Sequence, residues 1–323
     1  MKRQINQSFI PFILLIGLCH AALAQTYPTK PIRFIAPFVP GAGTDITART
    51  VAQKLTERLG QQVIVDNRPG ATGSIGVDIT AKAIPDGYTM CLISASHSVS
   101  AATSPKLPYD LTKDLAGISQ MTALAYFVVV HPSVPVKSIK ELVAHARANP
   151  GKLNYGSSGT AGLQHFAGVL FGHMTGTDIV HIPYKGGAAA LNDLLGGRTQ
   201  LQFTTLLSTK PHIASGRVRA LATTALKRSP AMENVPTVSE SGVPGYEVNQ
   251  WYGIVISAKV PRAIVNKLSA EVSASVNSPD IAQRFLADGS VVVGSTPEQF
   301  TAHVRSEIAK WRKLVKEAKL QLD

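Results

Sequence analysis

The stretch IRFIAPFVPGAGTDITARTVAQKLTERLG, residues 32–60, decides the fold class. It opens on a short β-type run, Ile32 to Ala36. From Thr44 onward Ile46, Ala48, Val51, Ala52, Leu55 and Leu59 recur at helical spacing, and Gly60 supplies the stop. A Pro- and Gly-rich turn joins the two, so the segment reads as strand, tight turn, helix. Working outward, VIVD (63–66) is the next strand and RPGATGSIG (68–76) a Gly-rich loop. A short helix near 76–84 stops at Pro85-Asp86-Gly87, and YTMCLIS (88–94) is a third strand. This β-α-β-α-β order predicts a parallel sheet with helices on both faces.

A second set of the same kind begins at FVVVHP (127–132). Ser138 and Glu141 form a capping box for a helix that ends at Asn149-Pro150-Gly151. LNY (153–155) leads into GSSGT (156–160) and an amphipathic helix striped by Leu163, Phe166, Ala167, Leu170 and Met174. IVHIPY (179–184), a helix to Leu195, LQFT (201–204), a helix near 207–215 and VRALATTA (218–225) complete the unit. The segment 227–248 lacks periodicity and reads as a surface excursion or linker. WYGIVIS (251–257) is a late strand. Pro261 opens one helix, and Thr296-Pro297-Glu298-Gln299 caps another. The expected architecture is α/β with two lobes around a cleft. The first lobe is 25–124 plus 249–323, and the second is 125–248.

Composition narrows the class further. The 323 residues are 45% hydrophobic and 16% charged, which excludes a disordered chain and a coiled coil. Residues 1–24 read as a secretory signal peptide: Lys2 and Arg3, then the apolar run Phe9–Leu18, then Ala22-Leu23-Ala24 before the cut. The run is too short to span a bilayer. Cleavage removes Cys19 and leaves Cys91 alone, so no internal disulfide forms; Cys91, inside an apolar strand, reads as a small core residue. The 32 basic residues against 20 acidic give a formal charge of +12. That excess suits anionic partners. Export removes DNA and RNA from consideration and leaves small anions.

Ligands of open parallel sheets bind beyond the carboxyl ends of the strands, so the turns there are the candidate site. The first is Pro37 to Thr44: Gly41, Ala42 and Gly43 let the backbone approach a bound group, and the helix that follows offers free N–H groups to a carboxylate or phosphate. A dinucleotide fingerprint fails there for want of the third Gly, and a P-loop for want of Gly-Lys-Ser/Thr. Asp45 would repel an acidic ligand, which favours a loop-ordering role. The second turn carries Ser157, Ser158 and Thr160, with His165 one turn inside the helix and off its apolar stripe. The third carries Ser94 and Ser96, and the fourth Tyr184 and Lys185. Each has a plain structural alternative: a helix cap, a surface His, a solvated Lys. There is no Gly-x-Ser-x-Gly elbow, no Ser-x-x-Lys and no His-Glu-x-x-His pair, so neither metal nor cofactor is expected. A hydrolase would have to build a triad from Ser157 or Ser158 with His165.

The blocks YPTKPIRFIAPFVPGAGTDITAR, VDNRPGATGSIG, PDGYTM, LNYGSSGT, HIPYKGG, NVPTVSESGVPGYEV, WYGIV and TPEQF…EIAKW, in this order, span nearly all of the chain beyond the leader. Together they resemble the tripartite tricarboxylate transporter substrate-binding proteins, or Bug proteins, which are periplasmic solute receptors. The resemblance implies a type II periplasmic-binding-protein fold: two α/β lobes, a hinge, and closure on a small carboxylate. It implies a monomer that delivers its ligand to membrane permease subunits, or alternatively to a sensor kinase. It maps carboxylate binding onto Phe38 through Asp45, faced by Ser157, Ser158 and Thr160, with Ser94, Ser96 and Tyr184 nearby. Relatives often carry Asp after the strand ending at Phe203, where this chain has Thr204-Thr205. That departure implies a ligand without an α-ammonium group.

Overall fold

The computed structural model describes residues 27–41, 43–104, 106–287 and 289–317. The proposed signal peptide, Cys19 and Ala42 lie outside the described residues. Among those described, no helix is long and apolar enough to cross a membrane.

The deciding stretch folds as its pattern predicts. β1 (Ile32–Ala36) passes through the turn into α1 (Gly43–Leu59). Gly60, at φ +64°, ends α1, and its N–H caps Thr56 O at 3.1 Å. β2 (Val63–Asn67), α2 (Ser74–Ala81), β3 (Thr89–Ser94) and α3 (Ala95–Thr103) follow. α3 is a correction to the sequence reading, which left Ser94–Ser98 as a loop: Ser94 N–H donates to His97 Nδ1 at 3.0 Å and starts a helix there.

β4 (Leu115–Val130) is sixteen residues long. Only its last part, the FVVV run, was legible, because its first part mixes apolar, small and polar residues with no regular alternation. α4 (Ile139–Ala148), β5 (Leu153–Ser157), α5 (Leu163–Thr175), β6 (Ile179–Pro183), α6 (Gly187–Leu195), β7 (Leu201–Thr205), α7 (Leu206–Ala214) and β8 (Arg219–Thr223) build the second set. β9 (Asn249–Ser257), α8 (Arg262–Val276), α9 (Pro279–Ala287), β10 (Ser290–Val292) and α10 (Pro297–Glu317) close the chain. The Thr296-Gln299 box is reciprocal, with hydrogen bonds of 2.9 and 3.3 Å, whereas at α4 Ser138 Oγ accepts from Glu141 N–H and the Glu141 carboxylate accepts from Lys137 N–H, one residue before the cap.

The strand order is β2-β1-β3-β9-β4-β7-β5-β6, with β8 and β10 also pairing β4. The sheet is mixed, not purely parallel. β1 pairs β2 and β3, and β5 pairs β6 and β7, in parallel, but the central strands β9 and β4 run antiparallel to their neighbours. β4 changes partner along its length, with β9 beside Leu115–Ala125 and β7 beside Tyr126–Val130. One continuous strand therefore serves both halves.

Side chains alternate across the sheet with period two. Cys91, Ile93, Trp251 and Val255 join one core, while Met90, Leu92, Tyr252, Ile254 and Ile256 join the other. Cys91 is fully buried, as its strand pattern implied, and burial raises its thiol to about 12. The segment 227–248 is no excursion. Val238, Val243, Tyr246 and Val248 are buried, and Tyr246 Oη donates to Ala167 O at 2.8 Å. Its backbone is irregular, so the side chains reach the core singly and leave no period to read.

Candidate functional site

A cavity opens where the strand ends of both halves meet, with about 460 Å³ of space counting its mouth. Helix beginnings supply much of its wall. Gly43 and Thr44 come from α1, Ser94 and Ser96 from the start of α3, Gly187 and Ala188 from α6, and Thr204, Thr205 and Ser208 from the start of α7. The first N–H groups of a helix have no partner within it, and the helix dipole is positive there. Several such ends therefore face one small volume. Phe38, Ser158 and Gln164 complete the sides, and Tyr126, Gln250 and Tyr252 line it from the two central strands. No Lys, Arg, Asp or Glu is among the lining residues.

The donors are held by neighbours. Gln250 Oε1 accepts from the N–H groups of Ala95 (3.1 Å) and Trp251 (2.9 Å), so its Nε2 donates to Tyr126 Oη at 2.8 Å. The Tyr126 proton is thereby left for another acceptor. Burial, reinforced by neighbouring Tyr252, pushes the Tyr126 phenol well above its usual range, and burial raises Tyr252 likewise. Both stay neutral donors. Gln164 Oε1 accepts from Ser158 N–H at 2.7 Å, which leaves its Nε2 with hydrogens to give. Gly43 sits where a side chain has no room: a Cβ would lie 2.7 Å from Tyr252 Oη and 3.3 Å from Thr205 Oγ1.

Of the residues singled out in the sequence, Phe38, Gly43, Thr44, Ser94, Ser96, Ser158 and Thr205 line this cavity. Gly41 and Asp45 stand behind it. The buried Asp45 carboxylate accepts from Gly41 N–H (3.1 Å), Asn67 Nδ2 (2.9 Å) and Arg49 Nε (3.1 Å), and Asn67 Nδ2 also donates to Phe38 O. Burial alone would raise its pKa; the bonds from Arg49, Asn67 and Gly41 outweigh burial and hold it below the usual carboxylate range. The carboxylate is thus taken up by the loop that presents Phe38 and Gly43.

A lowered folded pKa contributes stability that is complete above the unfolded value near 4 and is lost as pH falls through the folded one. Asp45→Asn is therefore expected to cost about 1–3 kcal/mol at pH 7, with the deficit shrinking below about pH 4. Urea unfolding of both proteins at pH 7 and pH 3 measures this, and an equal deficit at both contradicts it.

Ser157, Thr160, His165 and Tyr184 do not line the cavity. Ser157 is fully buried; its Oγ donates to Gly159 O and lies 2.6 Å from His181 Nε2. Thr160 is exposed and its carbonyl accepts from Thr72 Oγ1 at 2.8 Å. The His165 ring stacks on His181 with centroids 3.9 Å apart, and its Nδ1 accepts from Ala161 N–H. Burial lowers both imidazoles to about 4, with mutual repulsion adding at His181, so both are neutral near pH 7. The serine-histidine pairing considered from the sequence is replaced by Ser157 with His181, and neither ring meets a carboxylate. α5 begins at Leu163, beyond the expected turn, so His165 falls in its first turn with its ring against His181 of β6. Tyr184 Oη donates to Asp193 at 2.7 Å.

The sequence reading missed Tyr126, Gln164, Ala188, Ser208, Gln250 and Tyr252 as cavity residues. Two signals were present: a Gln inside an apolar central strand, and the hydroxyl run Thr204-Thr205-x-x-Ser208 at a strand end. Among the described residues no cluster of His, Cys, Asp and Glu is arranged to hold a metal.

The two halves touch across the cleft. Besides Thr72 with Thr160, Ser100 Oγ donates to Ala161 O at 3.1 Å, and Leu163 N–H donates to Ser96 Oγ at 3.1 Å.

Comparison with known proteins shows the family. The family described as tripartite tricarboxylate transporter family receptor matches residues 47–320. BugT of Bordetella pertussis is 34% identical over 313 residues, 96% of each chain. A solved structure described as a periplasmic transporter is 39% identical with a TM-score of 0.89, covering 92% of this chain and 100% of its own. R. palustris Rpa4515, solved with adipate, is 34% identical with a TM-score of 0.88, covering 91% of this chain and 98% of its own. The chain belongs to the tripartite tricarboxylate transporter receptor family. It has the type II two-lobed binding-protein fold, and it is a solute-binding receptor, not an enzyme.

Proposed function

We propose that this receptor captures a small dicarboxylate or aromatic acid that lacks an α-ammonium group, by closure of its lobes over the cavity. The observation that carries the reading is a cavity walled by helix N-termini, hydroxyls and amide N–H groups, with no charged side chain among its lining residues. Such a wall stabilises an anion without a counter-ion. It offers no carboxylate to an ammonium group: Thr204 and Thr205 line it, and no Asp or Glu does. Each hydrogen bond to a carboxylate contributes about 1.5–3 kcal/mol. A few of them, less the entropy of closure, support affinities near micromolar, about −8 kcal/mol.

The lobes divide near 25–124 with 249–323, and 125–248. The change of β4 partner between Ala125 and Tyr126 supports the first of these boundaries. In this reading residues 1–24 direct export, the mature monomer works in the periplasm, and it hands its ligand to membrane permease subunits. The residues that hold the acid are Gly43, Thr44, Ser94, Ser96, Ser158 and Thr205, joined by Tyr126, Gln164 and Gln250.

Calorimetric titration with succinate, citrate, benzoate-type acids, aspartate and glutamate tests the reading. Binding of one or more of the acids that lack an amino group is the expected result. Tight binding of an amino acid alone rejects it.

A further inference from the structure

Beside the cavity lies a second chamber of about 340 Å³, counting its mouth, which shares Phe38 and Ser158 with the first. Its wall holds a cation, Lys185, where the first cavity has no charged side chain. Neighbouring Tyr184 is committed to Asp193, and Asp193 is paired with Arg198 at 2.7 Å, so that acid is already balanced. The opposite wall is the loop through Ala71 and Thr72, both non-glycine residues at positive φ, 46° and 54°. Backbone held in this region costs about 1–3 kcal/mol per residue and concentrates at functional sites. The walls meet closely, since a Cβ on Gly159 would lie 2.8 Å from Thr72 Oγ1. Lobe closure therefore shapes this chamber together with the first.

Resting on the reading of the first cavity as a carboxylate site, we infer that the second chamber receives the distal anionic group of a linear diacid longer than succinate. In this arrangement Lys185 is a specificity-determining residue. One carboxylate sits among the helix N-termini, the methylene chain passes Phe38 and Ser158, and the other carboxylate meets the exposed Lys185 ammonium. An exposed ion pair of this kind is modest and weakens with salt.

The test is calorimetry of wild type, Lys185→Met and Lys185→Glu with succinate, adipate, pimelate and the monoacid hexanoate. Lys185→Met is expected to weaken adipate or pimelate by about three- to fivefold. Lys185→Glu weakens them further, and succinate and hexanoate are unchanged by either substitution. The difference shrinks at high salt. Equal losses for all four acids, or none for the long diacids, overturn the chamber assignment while leaving the first cavity standing. Wild type that binds none of the four overturns the chamber assignment, and the reading of the first cavity falls with it when citrate and benzoate-type acids also fail to bind.

Discussion

Gly43→Val is expected to abolish carboxylate binding while the protein still folds. The first Cβ would lie 2.7 Å from Tyr252 Oη and 3.3 Å from Thr205 Oγ1, with Leu207 at 3.7 Å. Two of these neighbours belong to the cavity wall, so the branched side chain fills space meant for the ligand and pushes the α1 start away from the facing strands. Losing two charge-assisted hydrogen bonds at about 1.5 kcal/mol each already lowers affinity by more than about 100-fold. Overpacking costs about 1–3 kcal/mol, so the melting temperature falls by only a few degrees, while the rise in Tm that ligand gives the wild type disappears. Differential scanning fluorimetry with and without ligand, followed by titration, measures both. Affinity unchanged by this substitution would move the site elsewhere.

Trp251→Ala is expected to do the reverse, with large damage to stability and little to the site. Trp251 is 1% exposed and packs edge-on against Phe300, ring centroids 5.5 Å apart, and against His303 at 5.2 Å. Deleting a buried indole typically costs about 3–5 kcal/mol through lost contacts and the cavity left behind. In a chain of this size that corresponds to a fall in Tm on the order of 10 °C. β9 alternates, however: Trp251 joins one core while Tyr252 joins the other. At a temperature where the variant is folded, the carboxylate affinity therefore stays within a few fold of wild type. A Tm within a degree of wild type would show that the indole is not the packing centre the contacts describe.

Most of the fold was legible because its units are local. β1, the turn and α1 declare themselves as a short apolar run that gives way to helical spacing across a Gly-rich break. The central strands were harder. β4 begins Leu115-Ala116-Gly117-Ile118-Ser119-Gln120, and no alternation marks it, since both of its faces are covered. A strand buried on both sides has no polar face to show. Its antiparallel pairing with β9 joins residues more than a hundred positions apart, which no local pattern encodes. The segment 227–248 misled for the opposite reason: Pro and Ser break every period, yet Tyr246 is wholly buried.

The candidate site divides along the same line. Turns at strand ends were readable, and they brought Phe38, Gly43, Thr44, Ser94, Ser96, Ser158 and Thr205 into one cavity. Tyr126, Gln250 and Tyr252 were not, because their place on the cavity wall follows from which face of a central strand meets the cleft. His165 shows the limit of helical-wheel reasoning. Its position off the apolar stripe was correct, but a stacked His181 from β6 occupies the side it faces.

Gripping an acid by the main-chain nitrogens of converging helix starts is the central claim, and a crystal structure of the protein with succinate or adipate bound tests it most directly. The account predicts one carboxylate within hydrogen-bonding distance of the Gly43 or Thr44 N–H and of donors from the facing half, such as the Gly187 N–H or Ser158. A ligand with no carboxylate in the space between Gly43 and Gly187, held only through arginine or lysine side chains elsewhere, would contradict it.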